Sequence, residues 1–401
     1  MKYITGFSRL FVGLLFIFSG FIKANDPIGF SYKLVEYYAV FGTTFLNSTA
    51  VWQAIFICVF EIALGFAVLI GTRMNLSAWL LLLMIVFFTF LTGFTAISNW
   101  FVENKDAALT LRFEKILGFK ASNLYYMKDC GCFGDAIKLT PWQSFFKDLI
   151  LLVLITLIFI RRKLIKPFFA KIMQTNLILF FTLISLSFSL YCYFYLPYIN
   201  FLPVEKGTDI APLTKSKPPV VEMLFIYEKA GQQYTFTLDN LPENISEYKM
   251  ITRIDSVIVP EVKAQINDFY LTGSDGISYE QEVLEEDGYK LLIVAPYLNK
   301  TNKNAWKKIS SLSKEFQQKG YKIYAISSAS KEEAESFRHE YQLDFPMCFM
   351  DPTAAKGLIR SNPGVILLHK STVVRRYPSR SIPNMQRIEK RIAKFEKKNP
   401  G

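Results

Sequence analysis

Residues 51–70 read VWQAIFICVFEIALGFAVLI, a stretch whose one charged side chain is Glu61. At 1.5 Å per residue such a helix crosses about 30 Å of hydrocarbon. Four more stretches have the same character: about Ile4–Ile22, Leu76–Ile97, Ser144–Ile160 and Leu177–Tyr198. The chain of 401 residues is 51% hydrophobic and 20% charged, with 37 Phe, and its mean hydropathy is +0.22. Soluble chains usually carry about 25% charge, and nearly all of the apolar excess here falls before residue 200. Composition excludes a disordered chain, a collagen-like chain and a disulfide-stapled miniature. The pattern predicts a polytopic α-helical membrane bundle followed by a soluble domain.

The first span has only Lys2 ahead of it, carries Arg9 inside and is followed by no small-x-small cleavage site. It reads as a retained helix rather than a signal peptide. The turn between spans two and three holds Arg73. The turn between spans four and five holds Arg161, Arg162, Lys163, Lys166 and Lys171. Both turns lie on one side if all five spans are real, and the basic side is cytoplasmic. The N-terminus is then inside, and 23–50, 98–143 and everything after about residue 200 face outward. The expected location is the bacterial inner membrane, multi-pass, with a periplasmic C-terminal domain. The net charge of +12 is thereby assigned to membrane topology, and nucleic acid is not an expected partner. Trp52, Trp100, Tyr191, Tyr193, Tyr195 and Tyr198 cluster near the predicted outer interface.

Arg9 and Glu61 are read as intramembrane charges. A lone charge at the bilayer centre costs about 2.5–3.5 kcal/mol on insertion scales, so such groups face the bundle interior and find partners. Glu61 is expected to pair with Arg9, as a proton or substrate site or as a clamp between helices. Gly6, Gly13 and Gly20 recur every seven residues on one face of the first helix, where small residues let backbones approach.

The outward segment 98–143 contains Cys130-Gly131-Cys132-Phe133-Gly134-Asp135, then Thr140-Pro141-Trp142. Thr140 fits an N-cap and Pro141 the first helical position, so the cysteines are held just outside the membrane. Thiols oxidise readily there, and a disulfide is the expected state. Bridging residues two apart needs a tight turn, which Gly131 permits. Such a ring is strained, and strained disulfides are labile. Three readings stay open: a redox pair, a structural staple or two thiols, and half of a zinc shell with no His nearby to complete it. Cys58 and Cys192, each roughly 10 Å below the outer end of its helix, read as a second relaying pair or as inert buried thiols.

These residues carry a resemblance. Arg9-x3-Gly13 leading to Phe18-Ser19-Gly20-Phe21-Ile22-Lys23, Glu61-x3-Gly65 with Gly71, and the Cys130–Asp135 segment with Thr140-Pro141-Trp142 are similar to the DoxX / MauE group of small membrane proteins. The resemblance covers the first 200 residues. It implies a four-helix core over 1–165, with the fifth helix, 166–200, as a stalk. It also implies redox work: the MauE branch is associated with periplasmic disulfide formation during maturation of methylamine dehydrogenase, and DoxX relatives with thiosulfate–quinone electron transfer or oxidative-stress complexes. Cys130 and Cys132 are then the candidate catalytic pair, a quinone the candidate cofactor, and Arg9 and Glu61 the lining of a quinone or proton site.

Residues 201–264 read as a linker and a small β-rich extension. Pro197, Pro203, Pro212, Pro218 and Pro219 punctuate the approach, and Val220–Tyr227 with Gln233–Leu238 alternate well enough for a hairpin. From 265 to 401 strands alternate with helices. Strands are expected at Leu291–Ala295 and Lys322–Ile326, helices at Ala305–Gln318 and Lys331–Tyr341, a closing hairpin at Gly364–Leu368 with Thr372–Arg376, and a last helix at Gln386–Phe395. This argues for an α/β sheet. The order resembles a thioredoxin-like fold of the peroxiredoxin and thiol-disulfide-oxidoreductase type. The residues that carry it are Ile266-Asn267-Asp268-Phe269-Tyr270-Leu271, Ala295-Pro296, Asp351-Pro352 and Asn362-Pro363-Gly364. It implies a cis proline at Pro363 beside a groove, with Asn362 and Pro363 as candidate partner-binding residues. The Cys-x-x-Cys of that family belongs near Tyr297–Asn304, where no cysteine stands. Cys348, His339 and His369 read as a core thiol, a solvated side chain and a strand-end side chain.

No Gly-rich phosphate loop, His-rich metal motif or Ser/His/Asp pattern appears, and no metal is expected. The run Arg387, Lys390, Arg391, Lys394, Lys397 and Lys398 has helical spacing with Glu389 and Glu396 among it. It reads as a solvated face in reach of anionic membrane lipid. Two functions follow. One is a thiol/disulfide or quinone-linked maturation component of the cell envelope. The other is a non-catalytic assembly subunit whose cysteine-free thioredoxin-like domain binds a periplasmic client or an envelope-complex subunit.

Overall fold

The computed structural model describes residues 2–117, 120, 124–127, 130–229, 231–242, 244–266 and 269–399. Asn267 and Asp268 of the quoted hexapeptide lie outside them. The chain divides into two compact units, 1–202 with 377–381 and 203–376 with 382–401.

The first unit runs α1 (Lys2–Asn25), α2 (Pro27–Val40), α3 (Ala50–Ile70), α4 (Met74–Glu103), α5 (Ala108–Leu117), α6 (Pro141–Ile160) and α7 (Lys171–Phe194). Among the described residues five of these, α1, α3, α4, α6 and α7, are long and apolar enough to cross a membrane. The chain is a multi-pass membrane protein. Helices α2 and α5 occupy stretches read as loops. Asp26 starts α2 by accepting from Gly29 N at 2.8 Å, with Pro27 in the first turn. Thr140 starts α6 with a full capping box against Gln143, as its sequence predicts.

Val12 and Phe16 of α1, Leu64 and Val68 of α3, Leu81 and Ile85 of α4, and Leu151 and Ile155 of α6 form one buried core. Helix α7 packs on α3, where Phe66 and Phe181 stack at 3.8 Å. Phe7, Leu14, Phe87, Val153 and Leu183 stand exposed on the outside of the bundle, which suits hydrocarbon.

Helices α1 and α3 touch through glycines. A Cβ on Gly65 would lie 2.8 Å from Gly13 O, and one on Gly20 would lie 3.0 Å from Cys58 O. A Cβ on Gly6 would meet nothing within 4 Å, so the seven-residue stripe works at Gly13 and Gly20 alone. The expected Arg9–Glu61 pair is not made. Arg9 Nε donates to Val68 O at 2.8 Å, and Nη2 donates to Leu69 O. The last turn of α3 leaves carbonyls without intrahelical partners, and a guanidinium satisfies them.

The second unit opens with an antiparallel sheet of β1 (Val220–Lys229), β2 (Gln232–Thr237) and β3 (Lys249–Val259) in the order β2-β1-β3. The predicted hairpin is thus extended by a third strand. There follow β4 (Thr272–Gly273), α8 (Glu280–Leu284), β5 (Tyr289–Val294), α9 (Lys303–Gln318), β6 (Lys322–Ser327), α10 (Lys331–Tyr341), β7 (Met347–Phe349), α11 (Pro352–Leu358), β8 (Gly364–His369), β9 (Thr372–Pro378) and α12 (Met385–Glu396). Their six strands form one sheet in the order β4-β7-β6-β5-β8-β9. Strand β5 is parallel to β6 and antiparallel to β8. All of β5 is buried, as a central strand covered on both faces must be. Trp306 and Phe316 of α9 are fully buried, and the Asn362–Pro363 peptide is cis. This is the expected thioredoxin-like α/β fold.

Replacing Gly65 by Val puts side-chain atoms against the backbone of α1. It should lower the thermal midpoint in detergent by several degrees, in keeping with a cost of about 1–3 kcal/mol for overpacking. Gly6→Ala meets open space and should leave the midpoint level or slightly raised, because Ala is the better helix former. Equal losses from the two would contradict the glycine seam.

Candidate functional site

Helix α1 continues past its predicted end and carries Lys23 into the bundle. Lys23 Nζ stands 2.5 Å from Glu61 Oε2 of α3, and each side chain is 3% exposed. One turn earlier on α1, Ser19 Oγ lies 3.5 Å from Glu61 Oε1 and 3.2 Å from Cys132 O. Helix α6 adds a second ion pair in its first turns. Lys147 Nζ is 2.6 Å from Asp148 Oδ1, and Asp148 Oδ2 accepts from Thr92 Oγ1 at 3.0 Å.

The cysteine segment is folded onto this polar floor. Its approach is clamped by Asn99, which donates to Met127 O at 2.6 Å and accepts from Met127 N at 3.0 Å. Gly131, at φ +69°, provides the left-handed backbone that the turn needs. Gly134 N then donates to Gly131 O at 3.2 Å, and Ala136 N to Phe133 O at 3.2 Å. Phe133 lies under Lys147 Nζ at 5.3 Å and beside Phe18. Cys130 is buried and Cys132 partly so; no disulfide is formed among the described residues.

These groups share one cleft of about 690 Å³, part of which is open to the surroundings. Cys130, Cys132, Lys23, Glu61, Lys147 and Asp148 supply its polar lining, and the rest is mostly apolar, including Phe16, Phe30, Phe88 and Leu91. Burial pushes the Cys132 thiol up from its ordinary range, and the Lys147 cation acts against that push. A dithiol, two cations with their counter-ions and an apolar chamber meet the needs of thiol chemistry on a hydrophobic ligand.

The structure therefore brings Cys130, Cys132 and Glu61 together and leaves Arg9 at the far end of α3. Cys58 and Cys192 are buried in α3 and α7. Ser19 and Lys23 stand in the helix-one motif with no site role expected for them, and Thr92, Lys147 and Asp148 are additions of the structure. The signals were present: Phe16, Ser19 and Lys23 share a helical face, and Lys147-Asp148 interrupts an otherwise apolar span.

In the second unit, Leu298–Lys300 forms a single turn where the Cys-x-x-Cys would stand. Asn302 Oδ1 caps α9, accepting from Asn304 N and Ala305 N. Asn362 Nδ2 donates to Tyr297 O at 2.8 Å, and Asn302 N donates to Asn362 O at 3.1 Å. Asn362 and Pro363 thus border this turn. Cys348 is fully buried in β7.

Residues 1–101 match the family described as methylamine utilisation protein MauE. Residues 262–356 match the AhpC/TSA family, and 221–259 match a domain of unknown function. No curated protein matches the chain. Among solved structures, a thioredoxin-like protein from Aeropyrum pernix is 15% identical, covering 32% of this chain and 89% of its own, at a TM-score of 0.25. Peroxidoxin BcpB from Mycobacterium tuberculosis is 18% identical over 31% of this chain and 90% of its own, at 0.25. Peroxiredoxin Q from Xanthomonas campestris is 15% identical over 32% and 89%, at 0.24.

Removing one partner of a buried ion pair strands the other charge, at a cost of about 3–5 kcal/mol. Lys23→Met and Glu61→Leu should each lower the thermal midpoint sharply, and the double variant should recover most of that loss. Losses that simply add would show that the two charges do not depend on each other.

Proposed function

We propose that the membrane unit is a thiol–disulfide redox component of the cell envelope, with Cys130 and Cys132 working as one dithiol at the mouth of the polar-lined cleft. The observation that carries this is their shared cleft with the Lys23–Glu61 and Lys147–Asp148 pairs. The MauE match over 1–101 supports a redox-related membrane part. The crowding of Lys and Arg at Arg161–Lys171 supports a periplasmic cysteine segment in the inner membrane.

In the proposed exchange, a client thiolate attacks one sulfur of a Cys130–Cys132 disulfide. The S–S bond breaks, and the released sulfur leaves as a thiolate and takes a proton. The client's second thiol then closes its own disulfide and frees the other sulfur. The client loses two electrons and two protons, which the cysteine pair holds as a dithiol. Renewal of the disulfide needs an acceptor. The cleft fits a quinone: its walls are apolar and its polar groups few, with Lys147, a quarter exposed, the cation open to a carbonyl oxygen. When bound, such a group supplies a two-electron, two-proton acceptor. Lys147 offsets the burial of Cys132, and Ser19 fixes the backbone of Cys132 against Glu61.

The soluble unit carries no dithiol where its fold would hold one. It binds a client or complex subunit beside Asn362 and Pro363, which favours an assembly role for that unit.

Full-length protein in lipid nanodiscs should speed the reduction of decylubiquinone by dithiothreitol, followed by ultraviolet absorbance. Cys130→Ser and Cys132→Ser should each abolish the increment over the uncatalysed rate. If both variants match the parent, the redox assignment fails. Because burial raises the Cys132 thiol, its alkylation by iodoacetamide, read by mass spectrometry, should lag that of a free cysteine near neutral pH. The rate should climb with pH as the thiolate forms. Lys147→Met removes an opposing cation and should slow it further; acceleration would contradict the electrostatics.

A further inference from the structure

The sheet β2-β1-β3 ends on β3, which pairs with β1 on one side. Its eleven residues, KMITRIDSVIV, are exposed at every position except one of intermediate burial. Edge strands are usually blunted by Lys, Pro, a bulge or short length, because an open row of backbone donors and acceptors invites another strand. Here the two register shifts of the β1–β3 ladder fall at its ends, and Thr252–Val257 stays in unbroken register with β1. That stretch contains no Lys and no Pro. Ile254 is 47% exposed and Val257 57%.

The order of side chains along β3 specifies what fits this edge. A two-fold axis perpendicular to a sheet pairs an edge strand antiparallel with its own copy and keeps each face on its own side. One residue must then lie opposite itself. With the axis on Ile254, Arg253 faces Asp255 of the second copy and Asp255 faces its Arg253. Thr252 faces Ser256, Ile251 faces Val257, and Met250 faces Ile258. Within the regular stretch Thr252–Ser256 each charge meets its opposite and hydroxyl meets hydroxyl, and the flanking pairs beyond it, from Met250 to Ile258, set apolar against apolar, the kind of cross-strand pairing that stabilises a sheet. Moving the axis one residue either way sets Arg253 on Arg253 or Asp255 on Asp255. In the single chain Arg253 Nε and Asp255 Oδ1 are 2.6 Å apart, with about half of each side chain exposed. They need only turn across the new ladder to make the same contact twice.

We propose that β3 pairs with β3 of a second copy of this chain, antiparallel about Ile254, joining two three-stranded sheets into one of six. This is independent of the redox assignment.

The test uses full-length protein in detergent and in native membranes, with the parent's own cysteines setting the background. Residues directly opposite in an antiparallel pair have Cα atoms about 4.5–5.5 Å apart, within the reach of a disulfide. Ile254→Cys, oxidised with copper phenanthroline, should therefore give a covalent dimer on a non-reducing gel well above the parent. Arg253→Cys and Asp255→Cys should each stay near background alone and crosslink when co-expressed. Adding Arg253→Asp to the Ile254→Cys chain should cut the dimer yield several-fold, and adding Asp255→Arg as well should restore it. The proposal is overturned if Ile254→Cys yields no more dimer than the parent. It is equally overturned if the three cysteine positions crosslink alike, if the charge reversal leaves the yield unchanged, or if the band that forms has the mass of one copy joined to a different protein.

Discussion

Lys23 and Glu61 stand 2.5 Å apart with almost no surface exposed, inside a bundle coated by apolar side chains. Taking two charges out of water costs several kcal/mol per ion, and their attraction offsets that only when geometry is close. Apolar residues of similar size would hold helices together as well or better. What the buried pair does do is tie one position of α1 to one position of α3. Here it fixes the length of α1, which must run on to Asn25 to deliver Lys23, and the depth of the cleft, whose floor it forms. Ser19 then ties the same carboxylate to the backbone of Cys132. The glycine seam is the steric counterpart: only with Gly13, Gly20 and Gly65 can α1 approach α3 closely enough for the pair to close.

How much of this was legible depended on the physics involved. Spans, the Thr140 cap and the α/β alternation follow from local pattern, and the structure repeats them within a few residues. The partner of Glu61 required knowing which residues lie level on two helices. The seam supplies that register: Gly13 opposes Gly65 and Gly20 opposes Cys58, so the helices are antiparallel with Arg9 level with Leu69 and Glu61 level with Ile17. Arg9 is then eight residues, about 12 Å, from Glu61 along the axis. Matching opposite signs without that register chose the wrong cation. Lys23 stands in the quoted helix-one motif, but a span ending at Ile22 leaves it at the surface rather than beside Glu61. Lys147 and Asp148 lie near one end of the stretch Ser144–Ile160, where two adjacent charges barely change its apolar character. Strand β3 was missed because its apolar residues do not alternate cleanly.

The soluble unit shows what a fold keeps when a dithiol is absent. The turn before α9 is still made, but amides hold it: Asn302 caps the helix and Asn362 anchors the carbonyl of Tyr297. Position, rather than reactivity, is what survives at Asn362 and Pro363. The first unit differs: there two cysteines and two ion pairs share a cleft.

The two ion pairs of that cleft are not equivalent. Lys23–Glu61 is sealed and neutral as a pair, so it contributes little net field at a sulfur. Lys147 is a quarter exposed while its partner Asp148 is buried and held on its second oxygen by Thr92. That arrangement pins Lys147 beside Phe133, one residue from Cys132, while leaving its charge only partly neutralised. A thiol in low dielectric resists becoming a thiolate, and thiolate is the form in which sulfur attacks and departs. The largest influence opposing burial at Cys132 is the Lys147 cation. The deep pair therefore shapes the floor of the chamber, while the cation of the shallow one opposes part of the effect of burial on the sulfur above it.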